Sequence, residues 1–248
     1  MKIYGLTGYP LSHSFSKSYF EDKFRRQSIS GCEYLNFPAR NPEEIREIVR
    51  NNPELKGLNI TIPLKEKIIP VLDWLDPMAE QIKAVNTIKI RRKNTGFKLA
   101  GFNTDASAFL KSVKPFIKAY NGYALILGTG GAAKAVAYIL EFLSIGYLFV
   151  SRSHFSGNII LYSNLSREII SSYKLIINAS PTGMFPDSDT CPPVPYQYIG
   201  KDHIIFDLVY NPEETLFMKI ARDSGAKVKN GLEMLYLQAE ESWEIWNS

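Results

Sequence analysis

A glycine turn narrows the possible folds more than any other feature. Tyr123-Ala124-Leu125-Ile126-Leu127 is an apolar run of strand length. Gly128-Thr129-Gly130-Gly131-Ala132-Ala133 follows it, and an apolar segment from Ala135 to Leu143 comes next. Strand, G-x-G-x-x-A and helix in that order open a βαβ unit whose turn can take a dinucleotide pyrophosphate. The first glycine permits the turn, the second lets backbone approach a phosphate, and small Ala133 lets helix and strand pack closely. Free N–H groups at the helix start then face the phosphates, where the dipole favours negative charge. A tight structural turn can use the same glycines, and it is the strand–turn–helix context that favours a cofactor.

The next apolar run ends Leu148-Phe149-Val150-Ser151-Arg152-Ser153. A site for NAD places Asp or Glu here to accept from the ribose 2′-hydroxyl. Arg152 suits a 2′-phosphate instead, by charge and by stacking on adenine, with Ser151 and Ser153 adding hydroxyl donors. The expected cofactor is therefore NADP, against the plainer alternative of a surface arginine at a strand end.

Around this unit, apolar runs alternate with helix-like segments, which implies an α/β fold with parallel sheet. The first part predicts strands at 2–8, 32–38 and 57–62, the last ending before Pro63. Helices are expected near 16–27, from Pro42 onward and from Asp76-Pro77. A hairpin of 84–91 and 97–102 turns at Asn94-Thr95-Gly96. Thr104 can cap a helix to about Lys114 that enters a second lobe. There strands at 123–127, 146–150, 174–178, 203–207 and 226–229 alternate with helices at 131–144, 166–172 and 213–222. The segment Pro181 to Pro195 reads as a functional loop or a plain connection. Leu232, Leu235, Ala239, Trp243 and Trp246 recur at helical spacing, so the last segment has an apolar face to bury. That tail has four glutamates and no base, whereas residues 1–103 carry 17 basic and 11 acidic residues. Its charge suits a return to the first lobe. The expected boundaries are 1–103 completed by 230–248, and 104–229.

Composition excludes several classes. The 248 residues are 45% hydrophobic and 22% charged, enough for a self-sufficient core. A net charge of +4, with neither lobe strongly basic, leaves no nucleic-acid footprint. Arg91-Arg92-Lys93 adjoins the hairpin turn and reads as a solvated loop tip. No apolar run approaches the ~18 residues of a membrane span, and Met1 to Leu6 looks like a strand, not a secretory leader. Cys32 and Cys191 stand far apart without metal-motif company, and His154 and His203 lack ligand-like neighbours, so no metal is expected. The reading is a cytoplasmic protein with a small-molecule substrate and no nucleic-acid or membrane partner, monomeric or homodimeric.

Polar residues gather at strand ends in the first lobe: Ser12, Ser14 and Ser16 in one loop, Asn59 and Thr61 on one strand face with Lys65 beyond, then Asn86, Asn103 and Asp105. Open α/β sheets bind ligands there, and such a group suits a small polyhydroxylated acid. The motifs are G-x-P-x-x-H-S-x-S at 8–16, N-x-T-x-P-x-K at 59–65, A-V-N-T at 84–87 and N-T-D at 103–105. They continue with G-x-G-G-A-A at 128–133, S-R-S at 151–153, N-A-S-P-T-G-M at 178–184, D-x-x-Y-x-P at 207–212, G-L-x-M-L at 231–235 and Gln238-Ala239. In this order, across nearly the whole chain, they resemble the shikimate dehydrogenase family.

The resemblance implies a two-lobed enzyme: an N-terminal α/β substrate-binding and catalytic lobe with a mostly parallel sheet, and a Rossmann-type NADP-binding lobe. It implies reversible reduction of 3-dehydroshikimate to shikimate with NADPH, in aromatic amino-acid biosynthesis. By position, Ser14, Ser16, Thr61, Asn86, Tyr210 and Gln238 would hold the substrate, with Asn59 contributing. Residues 128–132, Arg152, Leu208 and Gly231 would contact the cofactor, and Lys65 and Asp105 would be the catalytic pair. Hydride arriving at a ketone builds negative charge on oxygen, and an ammonium can both stabilise and protonate it. Taken singly, Lys65 is an ordinary solvated lysine and Asp105 an ordinary first-turn acid. Only the surrounding motifs give them another meaning. The rival readings are a broader quinate/shikimate dehydrogenase and a catalytically silent NADP-binding sensor.

Overall fold

Tyr4 and Leu6 alternate with Ile3 along the first strand, so its two faces serve two cores. The computed structural model describes residues 1–11, 15–94, 96–118, 120–153 and 155–248. The chain divides into two compact units, Met1–Thr104 with Ala239–Ser248, and Asp105–Gln238.

The first unit contains β1 (Lys2–Gly8), α1 (Phe15–Arg26), β2 (Cys32–Pro38), α2 (Glu43–Asn51), β3 (Leu55–Ile60), β4 (Trp74–Leu75), α3 (Pro77–Ile82), β5 (Thr87–Lys93) and β6 (Gly96–Phe102). Its sheet runs β2-β1-β3-β5-β6-β4. β1 lies parallel to β2 and β3, β5 is antiparallel to β3 and β6, and β4 is parallel to β6. Ile45 and Val49 of α2 bury one face with Leu55, Leu58 and Ile88. Phe20 and Phe24 of α1 bury the other with Tyr4, Tyr34, Ala239 and Trp246. Asp76 caps α3 as expected, accepting from Met78 N at 3.0 Å ahead of Pro77. The third strand occupies 55–60, not 57–62. At Thr61 the chain turns instead, and its carbonyl accepts Leu64 N at 2.9 Å.

Gly57 has no side chain for a packing reason. A Cβ there would lie 2.2 Å from Trp246 Nε1. The bare strand lets the indole lie flat and donate to Ile88 O at 3.0 Å.

The second unit contains α4 (Asp105–Val113), β7 (Ala124–Leu127), α5 (Gly131–Phe142), β8 (Tyr147–Ser151), β9 (Ile159–Leu161), α6 (Arg167–Ser172), β10 (Leu175–Asn178), β11 (Ile204–Asp207), α7 (Leu216–Asp223) and β12 (Lys227–Lys229). The last helix, α8 (Leu232–Asn247), passes from this unit into the first. The sheet runs β12-β11-β10-β7-β8-β9, all parallel. In chain order within the unit that is 6-5-4-1-2-3, the doubly wound dinucleotide-binding order read from the other edge. Its switch point lies between β7 and β10. The fold is thus α/β, with a mostly parallel first sheet and a Rossmann-type second one. The helix expected from 213 begins at Leu216, because the Thr215 side chain accepts from Met218 N and caps it. No helix among the described residues is long and apolar enough to cross a membrane.

Candidate active site

In the second unit the predicted turn sits at the switch point. Gly128 has φ +117°, and a Cβ there would press on the Ala179 carbonyl oxygen at 3.2 Å. A side chain there is therefore strained on two grounds. Gly130 is the extended N-cap of α5, has no side-chain cap, and its missing Cβ would meet nothing within 4 Å. Thr129 and Gly130 are exposed and Gly131 and Ala132 half-buried, so backbone N–H groups border open space at the start of a 12-residue helix. Arg152 and Ser153 are exposed just past β8, and Ser151 is half-buried. The Tyr162 phenol is pushed up to about 12 by burial, opposed by the positive charge of Arg152. This donor set fits a phosphorylated dinucleotide.

Beside the turn, a buried carboxylate ties two loops together. Asp207 Oδ1 accepts from Asn178 Nδ2 at 2.9 Å and Val209 N at 3.0 Å, and Oδ2 accepts from the Thr215 hydroxyl at 2.6 Å. Asn178 Oδ1 in turn accepts from Ser180 N and Ser180 Oγ at 3.1 and 2.7 Å. Burial pushes the Asp207 carboxyl up to about 6, against the lowering pull of these three bonds. Leu208 N donates to Asn178 O at 2.9 Å. A Cβ on Gly231 would sit 2.1 Å from Leu208 O, so two expected cofactor contacts abut through backbone. Tyr210 and Gln238 are half-buried, and Gln238 Nε2 donates to Leu235 O at 3.0 Å.

In the first unit Asn59, Thr61 and Asn86 lie together at one end of the paired central strands β3 and β5. Ser16 lies in the first turn of α1, its hydroxyl bonded to the Tyr34 phenol; Ser14 lies outside the described residues. Tyr34 Oη donates to Asn59 Oδ1 at 2.8 Å, and Asn59 Nδ2 donates to Ser242 Oγ at 2.9 Å. Asn59 is therefore buried, with both ends of its amide engaged by protein. Thr61 N donates to Thr7 O at 2.9 Å, and Lys65 O accepts Val85 N at 2.7 Å, so both backbones are anchored. The Lys65 side chain is half-buried. Asn86 Oδ1 accepts Thr104 N at 2.8 Å, and its Nδ2 donates to Thr104 Oγ1 at 2.9 Å. In the second unit, Asp105 is buried and opens α4, where its carboxylate is favoured by the helix dipole. Among the described residues no His, Cys, Asp and Glu cluster could hold a metal.

Tyr34, Thr87, Thr104 and Ser242, with Asn178, Asp207 and Thr215, were missed as members of these networks. Thr87, Thr104, Asn178 and Asp207 do stand in the motifs, but Ser242 stands in none.

A sequence profile described as the shikimate dehydrogenase substrate binding domain matches residues 6–88. A curated relative from Methanococcus aeolicus, named shikimate dehydrogenase (NADP(+)), is 35% identical over 260 residues, covering 99% of this chain and 91% of its own. The chain belongs to the shikimate dehydrogenase family. The crystal structure of shikimate dehydrogenase 1 from Peptoclostridium difficile superposes with a TM-score of 0.84 at 35% identity, covering 100% of this chain and 92% of that one. The Thermus thermophilus shikimate 5-dehydrogenase, solved with NADP(H) and shikimate, gives 0.82 at 30% identity, covering 99% and 93%. Within α1, Lys17 pairs with Glu21 at 3.7 Å.

Proposed function

We propose that this chain catalyses the reversible NADPH-dependent reduction of 3-dehydroshikimate to shikimate. The supporting observation is that the open glycine turn at the β7/β10 switch point, with Arg152 just past β8, occurs in a chain that also carries the polar strand-end cluster of the first unit. Backbone of residues 128–132 receives the pyrophosphate, Ser151, Arg152 and Ser153 receive the 2′-phosphate, and Leu208 and Gly231 contact the rest of NADP. When bound, the nicotinamide supplies the hydride and takes it back in reverse. Ser14, Ser16, Thr61, Asn86, Tyr210 and Gln238 hold the carboxylate and hydroxyls of the substrate, and Asn59 supports them from within the protein.

Lys65 and Asp105 handle the proton. As the ketone accepts hydride, its oxygen gains negative charge, and the Lys65 ammonium stabilises that charge and delivers the proton. In the oxidation direction Lys65 takes the hydroxyl proton back, while Asp105 accepts from a substrate hydroxyl and fixes its place. The protein acts in the cytoplasm as a monomer or homodimer. A quinate- and NAD-preferring enzyme accords poorly with Arg152, and a silent sensor has no use for the Lys65 and Asp105 pair.

The test is the purified protein with shikimate or quinate and NADP⁺ or NAD⁺, followed by absorbance of the reduced nicotinamide. Shikimate with NADP⁺ is expected to be the best pair. Turnover with quinate and NAD⁺ alone, or with no pair, would overturn the reading.

A further inference from the structure

Ser242 is fully buried on α8 and belongs to no motif, yet it joins three separate segments of the first unit. Its Oγ accepts from Asn59 Nδ2 at 2.9 Å and lies 2.7 Å from Thr87 Oγ1 and 3.4 Å from Thr104 Oγ1. The donors and acceptors along this chain can be ordered from its buried end. Burial raises the Tyr34 phenol far above the usual range, so it stays protonated and donates to Asn59 Oδ1. That leaves Asn59 Nδ2 as the donor to Ser242. Thr87 gives its one hydroxyl hydrogen to Asn86 Oδ1 at 3.2 Å, so in the pair with Ser242 it is Ser242 that donates. The same oxygen accepts Thr104 N at 2.8 Å. The Asn86 oxygen is thus held by the protein, and its Nδ2 is the donor end, already giving one hydrogen to Thr104 Oγ1.

We propose that Ser242 is a positioning residue for the substrate: its hydroxyl completes the hydrogen-bond order that makes Asn86 meet shikimate as an N–H donor. The proposal rests on the reading of Asn86 as a substrate contact. Without the Ser242 hydroxyl, Thr87 Oγ1 loses its nearest donor and is left with the longer bond from Asn59 Nδ2 at 3.4 Å, so its own hydroxyl can turn from Asn86 Oδ1. The Asn86 oxygen then keeps the Thr104 N–H but loses Thr87, and the amide can tilt from the position in which its N–H reaches the substrate.

The experiment compares Ser242→Ala and Thr87→Val with the full-length wild type, measuring KM for shikimate and for NADP⁺ separately, alongside thermal unfolding. Each variant is expected to raise the shikimate KM about tenfold, the effect of losing roughly one net hydrogen bond to the ligand. The NADP⁺ KM should stay within about twofold. Thr87→Ser, which keeps the hydroxyl, should restore the wild-type KM. Because both changes break one chain, the double variant should be little worse than either single one. Shikimate KM unchanged in both variants, even with a lowered melting temperature, would overturn the proposal, as would equal rises in both KM values. Should Ser242→Ala fail to fold, Thr87→Val decides the question alone. Wild-type protein that does not turn over shikimate would defeat the functional reading and this proposal together. Wild-type turnover with unmoved variants defeats only this one.

Discussion

Replacing Asp207 with Asn should stabilise the protein at neutral pH and not at acid pH. The Asp207 carboxyl is pushed up to about 6 by burial, from an ordinary value of 3.8. Native protein therefore holds this proton more tightly than the unfolded chain does. Stability at this site rises as pH falls from about 6 to 3.8, and above 6 the cost of keeping the charge buried is present in full. Roughly two pH units at about 1.4 kcal/mol each make that cost about 3 kcal/mol. Asn keeps the Oδ1 acceptor for Asn178 Nδ2 and Val209 N, and places an amide nitrogen against Thr215 Oγ1. Re-aiming the Thr215 hydroxyl costs about 1 kcal/mol. The net gain is about 2 kcal/mol at pH 8, or roughly 4–8 °C in melting temperature for a chain of this size. Thermal unfolding of wild type and Asp207→Asn at intervals from pH 4 to 8 reads this directly. The gap should close near pH 4. A gap independent of pH, or a variant less stable than wild type at pH 8, would refute the reasoning.

Gly57→Ala puts a Cβ 2.2 Å from Trp246 Nε1 and forces the indole off Ile88 O. Overpacking and the lost hydrogen bond together should cost about 2–4 kcal/mol in urea unfolding, and a loss below about 0.5 kcal/mol would contradict the packing account. Arg152→Gln should raise the NADP⁺ KM about 10- to 100-fold, the effect of removing a charge-assisted phosphate contact, while the NAD⁺ KM stays nearly level. Equal effects on the two cofactors would remove Arg152 from the 2′-phosphate site.

What was legible in the sequence had local causes. Gly128 needs positive φ, Asp76 caps its own helix, and the alternation of apolar runs foreshadowed both sheets. β4 and β9 were not foreseen, because two and three residues are too short to show any periodicity. α7 starts later than the sequence pattern suggests, since the capping role of Thr215 outweighs the run of polar residues before it. The site was legible as motifs but not as a network. The Asn59–Ser242 bond joins residues 183 positions apart, and neither spacing nor composition announces it. Asn59 reads in the sequence as one more ligand contact; in the structure it is buried, with its amide bonded to Tyr34 and Ser242. Lys65 and Asp105 carry no signature of their own at all. Their reading depends on the motifs around them.

Steady-state oxidation of shikimate with NADP⁺ by Lys65→Ala tests the central claim most directly. Loss of the group that stabilises and protonates the developing oxyanion should lower kcat by about 10²- to 10⁴-fold. The shikimate KM should remain within about threefold and the melting temperature should be unchanged. A variant that keeps kcat while its shikimate KM climbs would make Lys65 a binding group and leave the proposed proton transfer without its donor.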